Sequence, residues 1–276
     1  MYETVVGGSF FRPEDTLCCG QTFRWTAEEH GWLVFSADKA CFLQTSGEDV
    51  RICTREEDMP YFLRYFDCAR DYAAIAERAQ ACGGAVAKAA ESDRGIRILN
   101  QDSEEMIFTF LLSQNNNIPR IRGMVERLCA ALGKRCLFGE REYYSFPKAP
   151  VLARENEEFY RALGFGYRAA FVAQTARRLA EEGTEGLAAL ETPALREKLL
   201  TYPGIGPKVA DCILLFGFHR TGAFPVDTWL EKVYREDFGG RERDRQKISA
   251  YFSDKFGEDG GYIQQYLFYA KKEGRL

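Results

Sequence analysis

Along residues 1 to 57, apolar and polar positions alternate in short runs such as Trp32-Leu33-Val34-Phe35 and Cys41-Phe42-Leu43-Gln44-Thr45, broken by Gly, Asp and Ser turns. Period-two segments separated by turn residues predict an antiparallel sheet. From Tyr61 the period becomes helical. Helices are expected over Tyr72 to Ala90, interrupted at Gly83-Gly84, then over Ser103 to Leu112, Ile118 to Leu132, Glu157 to Leu163, Ala169 to Glu182 and Thr192 to Tyr202. Gly133 to Pro150 reads as a loop excursion. No low-complexity linker divides the chain, so only a soft boundary is set near residue 95. The expected class is α+β: a small N-terminal antiparallel β-sheet domain with flanking helices (1–95), packed on an all-α core (96–276) with a cleft between helical lobes.

The densest chemistry lies between residues 195 and 229. Two helical patterns meet at Pro203-Gly204-Ile205-Gly206, a tight hairpin whose glycines permit backbone angles closed to other residues and let another backbone approach. Its amides, at the start of the Lys208 to Gly217 helix, are expected to point outward unpaired. With a helix dipole behind them they suit a phosphate and read no base, and Gly204, Gly206 and Val209 are assigned to this cradle. Lys208 follows in the first turn, beside Val209, Ala210, Cys212, Ile213, Leu214, Leu215 and Phe216. Desolvation there is expected to lower its pKa and release a neutral amine able to attack carbon and form a Schiff base. Asp227 closes a Gly/Pro loop of about residues 222–229, where it can cap the helix starting at Thr228 and also stabilise a developing cation. Taken singly, a Gly-x-Gly turn, a solvated lysine and a capping aspartate are all ordinary. Their order and spacing are not.

That combination resembles the helix-hairpin-helix superfamily of DNA glycosylases, and other segments narrow the likeness. Gly20-Gln21-Thr22-Phe23-Arg24-Trp25, Ser113-Gln114-Asn115-Asn116-Asn117-Ile118-Pro119-Arg120-Ile121, Gly123 to Cys129, Gly164-Phe165-Gly166-Tyr167-Arg168-Ala169 and Gln264-Gln265-Tyr266-Leu267-Phe268 are similar, in order, to signatures of 8-oxoguanine DNA glycosylase/lyases. The resemblance runs from residue 20 to residue 268. It implies a helix-hairpin-helix glycosylase core, with the hairpin unit at about 195–217, acting in base excision repair.

A base inside a duplex cannot be attacked at its sugar carbon, so such an enzyme must flip the nucleotide out. The resemblance implies that Asn115 enters the vacated stack and that Arg120 and Arg168 reach the orphaned base, with Tyr167 in the same DNA-contact set. Arginine's fixed donors match the O2 and N3 acceptors of cytosine, which is therefore the expected opposite base. On the residues alone, the three asparagines read as a loop between helices, and the arginines equally as partners in surface ion pairs.

Oxidation of guanine replaces the N7 acceptor with an N–H donor, and the resemblance gives its reading to the Gly20 carbonyl, where a missing side chain lets the base come close. Leaving that carbonyl unpaired against guanine costs roughly 1–3 kcal/mol. Phe268 and Cys212 are implied to sandwich the purine, and Gln264 to bond its pairing edge. Without the likeness these are two core residues and a surface amide. Lys208 is then the nucleophile at C1′, Asp227 stabilises the oxocarbenium-like sugar, and the Schiff base permits β-elimination that nicks the strand 3′ to the lesion. No catalytic metal or other cofactor is required by this chemistry, while a structural Na⁺ or K⁺ on hairpin carbonyls near Tyr202 to Ile205 is implied. Asp227 is followed by Thr228-Trp229, where animal-type members carry a histidine second after the aspartate, so Trp229 stands where that histidine contacts phosphate.

Composition alone points elsewhere. The 276 residues carry a formal charge of −4 with a pI near 5.5, so no basic footprint marks a purely electrostatic DNA binder. Hairpin amides and a few placed arginines must hold the phosphates, and a weak salt dependence is expected. The nine cysteines show no Cys-x-x-Cys pair, only His30 and His219 are available beside them, and none follows Cys212. Neither a zinc site nor an iron–sulfur cluster is expected; reduced thiols are. No apolar run reaches the roughly 18 residues of a membrane helix, and the N-terminus lacks a secretory pattern. A soluble intracellular monomer acting on double-stranded DNA with 8-oxoguanine opposite cytosine is expected, in the cytoplasm or nucleoid if the source is prokaryotic. The competing readings are a glycosylase for another damaged base, and a noncatalytic helix-hairpin-helix DNA-binding module.

Overall fold

The computed structural model describes residues 1–276. Strand β1 (Tyr2–Gly7) is followed by α1 (Pro13–Cys18), then β2 (Trp25–Glu28), β3 (Gly31–Ser36), β4 (Lys39–Ser46) and β5 (Asp49–Thr54). These form one antiparallel sheet of order β1-β5-β4-β3-β2. Its register is set by pairs such as Val34 with Cys41 and Leu43 with Ile52. All four of those side chains are buried on one face against Phe62 and Phe66, as the alternation predicts.

The helices are α2 (Met59–Tyr65), α3 (Tyr72–Ala81), α4 (Gly84–Asp93), α5 (Ser103–Ser113), α6 (Ile118–Leu132), α7 (Ala149–Leu152), α8 (Glu157–Ala162), α9 (Arg168–Glu182), α10 (Glu185–Ala188), α11 (Thr192–Leu200), α12 (Pro207–Gly217), α13 (Thr228–Glu236), α14 (Arg245–Phe256) and α15 (Gly260–Lys272). The expected long helix from Tyr72 divides at Gly83-Gly84, both at positive φ. Its halves α3 and α4 pack into the larger helical core along with α15, whereas the sheet and α2 enclose a smaller one. Residues 1–95 thus contribute to both cores. Buried Arg24 joins them, donating to Glu105 on α5 at 3.1 Å and to the Tyr144 carbonyl at 2.6 Å.

One expectation is corrected. Gly133 to Pro150 is not simply a loop, because β6 (Arg135–Phe138) and β7 (Arg141–Tyr144) pair there as a hairpin. Gly139 at φ 60° turns it, the position where a tight two-residue hairpin loop calls for glycine.

Two helices form the spine of the functional region. α5 starts at its cap Asp102, whose carboxylate accepts from the Glu105 N–H, and it is buried from Glu104 to Leu112. α12 is buried from Val209 to Gly217, so its apolar residues face protein all round.

Candidate active site

The hairpin between α11 and α12 is built as expected and for identifiable reasons. Gly204 sits at φ +80°, and a Cβ there would lie 2.4 Å from the Phe171 ring of α9. Glycine is obligatory on both counts. Gly206 differs: its φ is −89° and a Cβ would meet no atom within 4 Å, so protein sterics do not demand glycine there. Tyr202 anchors the turn through its hydroxyl to Glu182 at 2.7 Å, with Arg178 stacked 4.3 Å above its ring. Arg196 of α11 is bonded to Asp211 of α12 at 2.7 Å, which fixes the two helices together. The N–H groups of Gly204, Gly206, Lys208 and Val209 find no acceptor in the protein, while Ile205 bonds back to Tyr202. Four unpartnered donors at a helix N-terminus make an anion cradle. The carbonyls of Pro203, Gly204 and Ile205 are likewise unclaimed, a donor set that fits a monovalent cation. No three His, Cys, Asp or Glu side chains converge as a metal-ligand set.

Beside the hairpin a cleft is lined by Cys19, Gly20, Phe110, Lys208, Cys212, Phe216, Pro225, Asp227, Gln264, Gln265 and Phe268. Six of these are the residues expected for nucleophile, carboxylate and base reader, brought together from four separate segments. Asp227 caps α13, its Oδ1 accepting from the Trp229 and Leu230 N–H groups, both at 2.9 Å. Its Oδ2 makes no bond within the protein and is available to the cleft. Trp229 itself is half-buried, with the Lys232 ammonium 4.7 Å above its ring.

Lys208 is exposed as a residue, yet its ammonium lies among the atoms of the cleft, as befits a side chain rooted at the mouth and reaching inward. Its pKa is raised, not lowered as the sequence led us to expect: the adjoining Cys212 sulfur and then Asp227 favour the ammonium over the opposing effect of burial. Burial pushes the Cys212 thiol up, against the pull of Lys208. In this state the lysine is held protonated.

Gly20 lies at φ +85°, where a Cβ would reach only ordinary contact with Ile118, at 3.6 Å. Its backbone conformation, more than crowding, calls for glycine. The Gly20 carbonyl accepts no hydrogen bond in the protein. Its neighbour Gln21 is fully buried and clamps the loop, donating to Thr16 and Arg97 carbonyls and accepting from the Leu99 N–H at 2.8 Å. Gln264 donates to the Pro225 carbonyl at 3.2 Å, and its Oε1 is buried with no partner. Both orphan acceptors belong to residues lining the cleft, and a buried acceptor without a donor is costly in a folded protein. Cys19, Phe110, Phe216, Pro225 and Gln265 also line it and escaped the sequence reading, Phe110 and Phe216 as a stacked pair with centroids 5.6 Å apart.

Two family sequence profiles match this chain: 8-oxoguanine DNA glycosylase, N-terminal domain, over residues 6–107, and HhH-GPD superfamily base excision DNA repair protein over residues 108–258. The chain belongs to the 8-oxoguanine DNA glycosylase family. It is 33% identical over 208 residues to a probable N-glycosylase/DNA lyase of Methanothermobacter thermautotrophicus, covering 67% of each protein. It is 39% identical over 161 residues to an N-glycosylase/DNA lyase of Saccharomyces cerevisiae, a match covering 53% of this chain and 43% of the yeast protein. The chain thus spans less than half the length of that relative. Among solved structures, the Clostridium acetobutylicum 8-oxoguanine glycosylase/lyase, in complex with double-stranded DNA containing cytosine opposite 8-oxoguanine, superposes with a TM-score of 0.91. That match has 33% identity and covers 96% of this chain and 93% of the other.

In this family member Asn115, Tyr167 and Arg168, expected to contact DNA, lie together, and none of them lines the cleft. Asn115 is exposed at φ 44°, a conformation asparagine tolerates, and it contacts the Tyr167 hydroxyl at 3.4 Å. Asn116 bonds back to the Leu112 carbonyl, and Asn117 caps α6 by accepting from the Arg120 N–H. The Arg120 side chain is exposed and makes no ion pair. Arg168 departs from expectation: it is only 3% exposed, and its guanidinium donates to the carbonyls of Gln114, Asn115 and Phe165. Arg168 braces the asparagine loop here and must release those bonds to reach a base.

Proposed function

We propose that the protein flips 8-oxoguanine out of duplex DNA, preferentially opposite cytosine, excises it through a Lys208 Schiff base and then nicks the strand by β-elimination. The observation that carries this reading is the cleft, where an amine and a carboxylate lie with two acceptors, Gly20 O and Gln264 Oε1, that no protein donor satisfies. The Gly20 carbonyl suits the N7 proton that oxidation creates, and the Gln264 oxygen suits donors on the purine's pairing edge. Guanine offers no proton at N7, so the first acceptor would stay unpaired at a cost of about 1–3 kcal/mol.

The Lys208 ammonium passes a proton to the departing purine, and the amine so freed attacks C1′ as the bond to N9 breaks. The departing base requires a proton, and the ammonium has one to lose. Asp227 Oδ2, held by a helix cap, stabilises positive charge at the sugar without reorganising. Opening of the sugar gives the iminium, which acidifies C2′ and allows elimination of the 3′ phosphate. Each step uses side chains of the cleft, so this reading calls on no metal or redox cofactor, and a monovalent cation on the hairpin carbonyls would serve structure alone. The hairpin donors dock a backbone phosphate, and Asn115, Arg120, Tyr167 and Arg168 serve the opposite strand.

Borohydride trapping tests the reading. A duplex with 8-oxoguanine opposite cytosine is expected to give a covalent adduct with the native protein and none with Lys208→Gln, nor with an undamaged duplex. A protein that binds the lesion duplex without adduct or nick refutes the mechanism.

A further inference from the structure

The two walls of the cleft come from opposite ends of the sequence. Gly20 lies on the loop after α1, and Gln264 and Phe268 lie on α15. A single side chain ties these walls together. The Cys19 sulfur accepts from the Gln265 amide at 3.0 Å, across 246 residues of sequence, and from the Gln21 amide at 3.2 Å, while its S–H donates to the Thr16 carbonyl at 3.2 Å. Cys19 is 1% and Gln265 2% exposed, so water does not compete for these bonds. A sulfur is a weak acceptor, yet here it receives two amides at once, one from each wall. Gln265 is adjacent to Gln264, and Cys19 is adjacent to Gly20. The bond therefore joins the immediate neighbours of the two cleft-lining residues whose oxygens have no donor in the protein.

We propose that Cys19 and Gln265 form a positioning pair that fixes the distance between the Gly20 carbonyl and the Gln264 amide, and thereby sets selectivity for the oxidised purine. The proposal rests on the reading of the cleft as a base-reading site. Two acceptors on opposite walls can engage one rigid purine only at one separation, and a shift of well under an ångström lengthens one hydrogen bond or the other. Neither Cys19 nor Gln265 is bonded to Lys208 or Asp227, the groups assigned to the sugar. Loss of the pair should thus fall on recognition of the base, not on chemistry at C1′.

The test compares two reactions of the same protein: excision of 8-oxoguanine opposite cytosine, and cleavage of a preformed abasic site, which has no base to read. Cys19→Ala and Gln265→Leu are each expected to lower the ratio of excision to abasic cleavage about tenfold, with the double variant no worse than either single one. Cys19→Ser, which keeps an acceptor, is expected to regain most of the ratio. Equal loss in both reactions, an unchanged ratio, or simple additivity in the double variant would overturn the proposal. A native protein that neither excises nor cleaves would instead overturn the reading on which it rests.

Discussion

The cleft and the asparagine loop are both expected to touch DNA, yet they are prepared for it in opposite ways. In the cleft, polar groups are held rigidly and left unanswered: Gln21 clamps the loop that presents the Gly20 carbonyl, and one oxygen of Asp227 is fixed by α13 while the other is open. On the loop, polar groups answer one another. Arg168 is engaged by three carbonyls, Asn116 and Asn117 satisfy backbone groups, and Tyr167 bonds the Gln114 carbonyl. On the proposed reading, lesion recognition and sugar chemistry are preorganised, whereas opposite-strand recognition requires bonds to be exchanged.

The sharpest way to break this contrast is at the rigid side. Asp227→Asn is expected to lower single-turnover excision on the order of 10²–10³-fold, the range seen on removing a preorganised electrostatic partner. The unfolding midpoint should hardly move, since an amide oxygen still caps the helix. At the hairpin, Gly206→Ala should leave the fold intact yet weaken duplex binding about tenfold in a titration, because its Cβ would meet only the docked strand. Gly204→Ala should instead destabilise the protein itself, by the ~1–2 kcal/mol of a left-handed residue and more from Phe171. On the exchanging side, Arg168→Ala is expected to cost about 1–3 kcal/mol in denaturant unfolding, since it strands buried carbonyls. Arg120→Ala should leave unfolding unchanged while eroding the preference for cytosine over adenine opposite the lesion, read from paired excision rates. The smallest effect concerns pH. Cys212, ahead of Asp227, is the leading cause of the upward shift at Lys208, so Cys212→Ala should move the rising limb of abasic-site cleavage toward lower pH; a limb that stays put or moves upward would rule out that coupling.

The sequence made local features legible and long-range ones only by family likeness. The hairpin, Lys208 and the Asp227 cap lie within one short stretch, so glycine, proline and apolar spacing reveal them together. Gly20 and Gln264 were found only through motifs, because nothing in their own surroundings says that they meet. The β6–β7 hairpin went unseen since its four-residue strands are largely charged or exposed, although the Phe138-Gly139-Glu140 turn was a usable signal. The raised pKa of Lys208 was missed for a related reason: apolar spacing reports burial, but not that a thiol and a carboxylate stand beside the amine. Arg168 as a brace, and the pairing of Cys19 with Gln265, depend on side-chain packing that spacing does not encode.

The separation of Cys19 from Gln265 by 246 residues also orders events during synthesis. The helix that carries the nucleophile is synthesised before α15. Until that last helix docks, a nascent chain has its amine and carboxylate but only one wall of its reader. Because α15 buries Tyr262, Ile263, Tyr266 and Leu267 in the same core as α12, a form clipped ahead of Gly260 would be expected to lose the packing that holds the cutting residues as well as the second wall.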